Sequence, residues 1–111
     1  MKTVAVLGLM LLGYACTSTP AGHSHQVVME DFQFVPESLA VGVGDTVTWL
    51  NQGASQHTTT SGEVGAPDGK WDSGVLSTGG SFMHVFTAAG NYHYYCQIHG
   101  SMGMKGVISA K

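Results

Sequence analysis

Polar and apolar positions alternate along this chain in short runs. Thr46-Val47-Thr48-Trp49-Leu50 sets Val47 and Trp49 on one face and threonines on the other, the period of a half-buried strand. Residues 27–34 are aromatic and β-branched and stop before Pro36. Residues 38–41, 81–86, 91–96 and 105–110 read as further strands, and Thr58-Thr59-Thr60 and Val75-Leu76 as shorter ones. Gly42-Val43-Gly44-Asp45, Asn51-Gln52-Gly53-Ala54, Ser77-Thr78-Gly79-Gly80 and Ala88-Ala89-Gly90 mark turns between them. Residues 61–70 hold four Gly or Pro and are predicted as a surface loop. No segment carries a helical period. Seven or eight short strands at regular spacing predict an all-β, antiparallel β-sandwich.

The first residues break this pattern. Met1-Lys2-Thr3 precedes an apolar run from Val4 to Leu12 that is too short to span a bilayer. With small residues at Gly13 and Ala15, residues 1–15 read as a signal peptide cleaved before Cys16. A Cys at the new N-terminus, followed by Thr17-Ser18-Thr19-Pro20, resembles a bacterial or archaeal lipoprotein. That pattern has Leu three residues before the Cys, whereas here Gly13 stands there and Leu12 is one step early. Lipid attachment at Cys16 and plain secretion both remain open. Residues 16–25 read as a linker and 26–111 as one domain, exported to the periplasm or cell surface.

Charge narrows the partners. The chain has no Arg, four Lys and a net charge of −3. Without Lys2, three Lys face seven acidic residues, about −4. Phosphate binding needs a basic surface, so nucleic acid is excluded as a partner. A modest negative field favours a partner with a basic docking face.

Only two Cys are present, Cys16 and Cys96, and a disulfide between them would tie the domain to its own leader. An exported domain with a single unpaired Cys points to another role for that thiol. Around it the chain reads Tyr94-Tyr95-Cys96-Gln97-Ile98-His99-Gly100-Ser101-Met102-Gly103-Met104. A thiolate, an imidazole and a thioether thus lie within nine residues, and His57 offers a second imidazole upstream. Two His nitrogens, one Cys sulfur and a weak axial Met form the donor set of a blue-copper electron-transfer site. Thiolate and thioether suit Cu(I) and imidazole suits either state, so a rigid mixed set accepts both. Tyr92, Tyr94 and Cys96 share one strand face, which is expected to point inward.

Several segments, in order, resemble the cupredoxin family, and within it the plastocyanin-like small blue-copper proteins. They are Phe32-Gln33-Phe34-Val35-Pro36, Val43-Gly44-Asp45-Thr46-Val47-Thr48-Trp49-Leu50-Asn51, Trp71-Asp72-Ser73-Gly74, Ala89-Gly90-Asn91-Tyr92 and Tyr94-Tyr95-Cys96. The resemblance covers about residues 27–110. It implies a Greek-key sandwich and one copper ion held by His57, Cys96, His99 and an axial Met. Met102, six residues after Cys96, has the spacing of amicyanin-like proteins; Met104, eight after, has that of plastocyanin-like ones. Met104 is preferred because it leads directly into the last strand. Relatives often carry Asn after the first His, where it ties the ligand loops together; here Thr58 stands there. Azurin-like proteins have Gly before that His and add a carbonyl ligand; Gln56 in that position favours four ligands.

The other histidines are weaker candidates. His84 is in phase with Phe82 and Phe86 and reads as packed, His93 as solvent-facing, and His23 and His25 as linker residues. The Tyr94-Tyr95 pair reads as packing. No Ser/His/Asp set or paired carboxylate suggests an enzyme. The chain is too short for a multicopper oxidase, and a binuclear copper site would need a second Cys in the ligand loop. The expected function is single-electron transfer by a monomer between redox proteins, docking on the apolar surface around His99, Gly100, Ser101 and Met102. A copper carrier that passes the metal itself is the alternative, and a metal-free interaction module a third reading.

Overall fold

The structure, a computed structural model, describes residues 22–111. The proposed signal peptide, Cys16 and most of the proposed linker lie outside the described residues. Nine strands follow: β1 (Ser24–Glu30), β2 (Gln33–Val35), β3 (Ser38–Val41), β4 (Thr46–Asn51), β5 (Thr60–Glu63), β6 (Ala66–Asp72), β7 (Ser81–Val85), β8 (Gly90–Tyr95) and β9 (Lys105–Ala110). They form two sheets, in the orders β2-β1-β4-β7 and β3-β9-β8-β5-β6.

Alternation builds the core between the sheets. In β4, Val47, Trp49 and Asn51 are buried while Thr46, Thr48 and Leu50 are only partly so. In β9, Gly106, Ile108 and Ala110 point the same way. Trp49 is fully buried, with ring centroids 5.5 Å from Trp71 and 5.3 Å from Tyr94. Phe86 meets Trp71 edge-on at 5.4 Å. Offset and edge-to-face contacts of this kind add to area burial in fixing the packing.

Four features differ from the sequence expectation. Residues 27–34 are two strands, not one, because the chain reverses at Asp31-Phe32 so that Glu30 pairs with Gln33. Phe32 takes φ 70, a left-handed conformation that a bulky residue rarely adopts and that its identity does not advertise. Residues 61–70 are the β5–β6 hairpin rather than a loop. Its glycines take positive φ at Gly62 and Gly65, and β6 buries only Trp71, so no alternation reveals it.

The expected antiparallel sandwich holds, with two exceptions in its pairing. β1 pairs with β4, and β3 with β9, in parallel; the other five pairings are antiparallel. After β2 the chain crosses to the second sheet for β3, then returns so that β4 lies alongside β1. Side-chain alternation reports which face is buried, not strand direction.

Lastly, β1 begins at Ser24, inside the expected linker. His25 is therefore not an idle linker residue: its Nε2 donates to Asp45 Oδ2 at 2.8 Å. Asp45, almost fully buried, also accepts the Gly42 amide at 2.7 Å and the His23 amide at 2.8 Å. Together they clasp the start of β1 to the turn before β4. The His25 ring first, then these two amides, hold the Asp45 carboxyl down to about 2. Its folded value lies below its unfolded one, so the stabilisation is complete above the ordinary carboxylate range and fades as pH falls toward 2. Asp45→Asn is expected to lower the thermal midpoint at pH 7, with the gap to the unaltered protein narrowing between about pH 4 and pH 2. Melts followed by circular dichroism check this; a gap independent of pH would refute it.

Candidate metal centre

Two loops at one end of the sandwich carry the candidate ligands. The first follows β4. Asn51, fully buried at the strand end, donates through Nδ2 to the carbonyls of Ser55 and Leu76, both at 2.9 Å. Its Oδ1 accepts the Gly53 amide at 2.8 Å. One side chain thus shapes the whole 52–56 turn. His57 then exchanges both backbone hydrogen bonds with Leu76, at 3.1 and 2.8 Å. Its imidazole is fully buried, and burial holds it below its ordinary pKa. At neutral pH it is the uncharged form, which can ligate a metal.

The second loop follows β8. Tyr94 and Cys96 are buried and His93 is exposed, the inward phase expected from alternation. The Cys96 amide donates to the Met104 carbonyl at 3.0 Å, closing the loop at its base. Within it a 3-10 turn spans Gly100–Met102 and ends at Gly103, whose φ of 92 suits glycine. His99 stands just before that turn, half-buried.

The loops bring three donor atoms together. His57 Nδ1 lies 3.2 Å from His99 Nδ1. Cys96 Sγ lies 3.9 Å from the former and 3.7 Å from the latter. The point equidistant from the three is about 2 Å from each, the length of a metal–imidazole bond. Two imidazole nitrogens and a buried sulfur converging on one point is the arrangement of a single-metal site, and among the described residues this is the group that could hold an ion. Soft sulfur with two imidazoles suits copper.

Thr58 answers the question raised by the missing Asn. Its amide donates to Cys96 Sγ at 3.4 Å. Its Oγ1 accepts the Gln97 amide at 2.9 Å and lies 2.9 Å from Thr60 Oγ1, which donates to Asp72 at 3.0 Å. Thr60 spends its proton on the carboxylate, so Thr58 donates to Thr60 and receives Gln97. This directional chain ties one ligand loop to the other and on to β6.

The two methionines separate cleanly. Met104 is fully buried at the loop base, whereas Met102 is 62 % exposed. His84 packs on Trp71 and Phe86, each at 4.8 Å, and takes no part in the site. Tyr94 and Tyr95 are core residues. Burial pushes the Tyr94 hydroxyl well above its ordinary value.

Two neighbours of the site were hidden from sequence reasoning. The Phe32 ring meets His99 edge-on at 4.9 Å. Asp31 Oδ1 lies 3.4 Å from His57 Nε2. The Ser55 amide, and less strongly His57, hold the Asp31 carboxyl below the usual carboxylate range. Both residues reach the site only through the tight β1–β2 turn, whose one visible sign is an Asp inside an aromatic run.

Residues 21–111 match the copper binding proteins of the plastocyanin/azurin family. The chain belongs to that family. It is 32 % identical over 84 residues to plastocyanin of Scenedesmus fuscus, covering 70 % of this chain and 86 % of that protein. Chloroplastic plastocyanin of Chlamydomonas reinhardtii is 30 % identical over 112 residues, 96 % of this chain and 74 % of that one. Among solved structures, a purple cupredoxin from Nitrosopumilus maritimus superposes with a TM-score of 0.71 at 30 % identity, covering 78 % of this chain and 98 % of its own. A reduced amicyanin mutant gives 0.69 at 26 % identity, covering 79 % and 82 %. The expected cupredoxin fold and copper cofactor therefore stand.

Thr58→Val keeps the side chain's shape but removes the acceptor for the Gln97 amide. It is expected to cost about 1–3 kcal/mol of stability, measured by denaturant unfolding of the copper-free protein. Unchanged stability would show that water replaces the hydroxyl.

Proposed function

We propose that this chain is a mononuclear type 1 copper protein that carries single electrons between redox proteins outside the cytoplasm. The observation that carries the reading is the triangle of His57 Nδ1, His99 Nδ1 and Cys96 Sγ, sized for one small ion. Met104 would supply the fourth donor, a weak thioether, since it is buried at the loop base while Met102 faces solvent. Bound copper supplies the one-electron chemistry, alternating between Cu(I) and Cu(II). The protein's part is to hold the donors still. His57 is pinned by its backbone pairing with Leu76, Cys96 by the Met104 carbonyl and the Thr58 amide. Donors that do not move keep the reorganisation on electron transfer small.

Only His99 reaches the surface, and it is ringed by apolar groups. Phe32 touches it, Met102 follows it, and Val64 packs beside Gly100. All three are exposed. Such a rim suits brief docking with a small interface. A metal-delivery role is disfavoured because His57, Cys96 and Met104 are all fully buried, which hinders ligand exchange. The leader-like residues 1–15 support export, with maturation before Cys16; mass spectrometry of the mature N-terminus checks this.

The protein with one equivalent of Cu(II) is expected to show an intense thiolate-to-copper band near 600 nm that ascorbate bleaches, a position given to about 50 nm. Cys96→Ser should abolish it. Met104→Leu should raise the reduction potential and keep the colour, while Met102→Leu should change little. A colourless protein that binds Cu(I) tightly would overturn the electron-carrier reading. A larger spectral effect from Met102→Leu would overturn the axial assignment.

A further inference from the structure

The β1–β2 turn touches both imidazoles with adjacent residues, Phe32 on His99 and Asp31 on His57. The Asp31 contact concerns the nitrogen that the metal does not use. With His57 Nδ1 facing the other two donors, the ring proton of neutral His57 resides on Nε2. That nitrogen is fully buried and makes no close hydrogen bond. The acceptor facing it is Asp31 Oδ1 at 3.4 Å, long for a hydrogen bond but within reach of a small ring rotation. The same oxygen accepts the Ser55 amide at 3.0 Å, so the carboxylate is held where it stands.

The room for this carboxylate comes from Gly53. A Cβ at that position would lie 2.5 Å from Asp31 Oδ1 and 3.0 Å from the Asp31 amide nitrogen. Gly53 is itself placed by Asn51 and by the Met29 carbonyl, which accepts its amide at 3.1 Å. Turn, glycine and carboxylate are one fitted arrangement.

We propose that Asp31 is the positioning residue for His57: its carboxylate accepts a hydrogen bond from Nε2–H, fixes the tautomer that presents Nδ1, and biases the site toward Cu(II). The inference rests on His57 being a copper ligand. A carboxylate on the distal nitrogen makes an imidazole a stronger donor, and strong donors favour the higher metal charge. The added negative charge acts in the same direction. The expected consequence is a lower reduction potential than a neutral residue at this position would give.

Asp31→Asn keeps the size and an oxygen acceptor while removing the charge; Asp31→Ala removes both. Full-length copper-loaded proteins would be compared by cyclic voltammetry, with the His57 Nε2 proton followed by NMR in the Cu(I) state. For Asp31→Asn the preference for Cu(II) over Cu(I) is expected to fall about tenfold. That corresponds to a rise of about 59 mV for a one-electron couple. For Asp31→Ala the rise should be at least as large, and the Nε2 proton should exchange faster with water. A band near 600 nm in both variants, with potential and exchange both unchanged, would refute the role of Asp31 and leave the copper reading intact. Absence of that band in the unaltered protein would remove the copper reading itself, and this inference with it.

Discussion

The structure turns on one constraint: two imidazole lone pairs and a sulfur must face one point inside the protein. Groups of this kind gain nothing from one another. With all three lone pairs turned to that point they are acceptors set a few ångströms apart with no donor among them, and burial of such groups is costly unless they are partnered. The fold therefore has to supply the convergence from elsewhere. It does so through contacts that do not involve the metal: Asn51 shapes the His57 turn, Leu76 pairs with His57, and Met104 closes the loop that starts at Cys96.

Those contacts distribute the work unevenly. His57 and Cys96 are fully buried; two backbone hydrogen bonds to Leu76 fix the first, and the Met104 carbonyl fixes the amide of the second. His99 is held by a short 3-10 turn and an aromatic edge, and is half open to solvent. The centre thus has a rigid interior and a single outlet. At the far end of β4 the Asp45 clasp secures the first strand of the domain. Gly22, the first described residue, packs against Asp45 in that clasp.

What the sequence made legible follows the same division. Strands that bury one face, such as β4 and β9, alternate and were readable. β5 and β6 were not, because β6 exposes nearly everything except Trp71 and its turns rely on glycine geometry. Parallel pairing of β1 with β4 was invisible, since alternation is blind to direction. Cys96 and His99 were legible because they are local to one loop. The preference for Met104 over Met102 rested on spacing and on its place before the last strand; in the structure Met104 is buried and Met102 exposed. Thr58 looked like a gap in the second layer of contacts because its role needs partners 39 residues away at Gln97.

Asp31 marks the limit of that legibility. It lies far from His57 in sequence and reaches it only because Phe32 accepts a positive φ and residue 53 has no side chain. Each fact alone is unremarkable: an acidic residue in a turn, a glycine in another, a bulky residue at φ 70. Together they set a charge against the fully buried imidazole of His57. A Phe in a left-handed turn is costly unless something holds it. Here its ring meets His99 edge to face, so the same turn that strains the backbone also braces the half-buried imidazole. The interior and the outlet of the centre are then not independent. Moving the β1–β2 turn would disturb both imidazoles at once, one through charge and the other through packing.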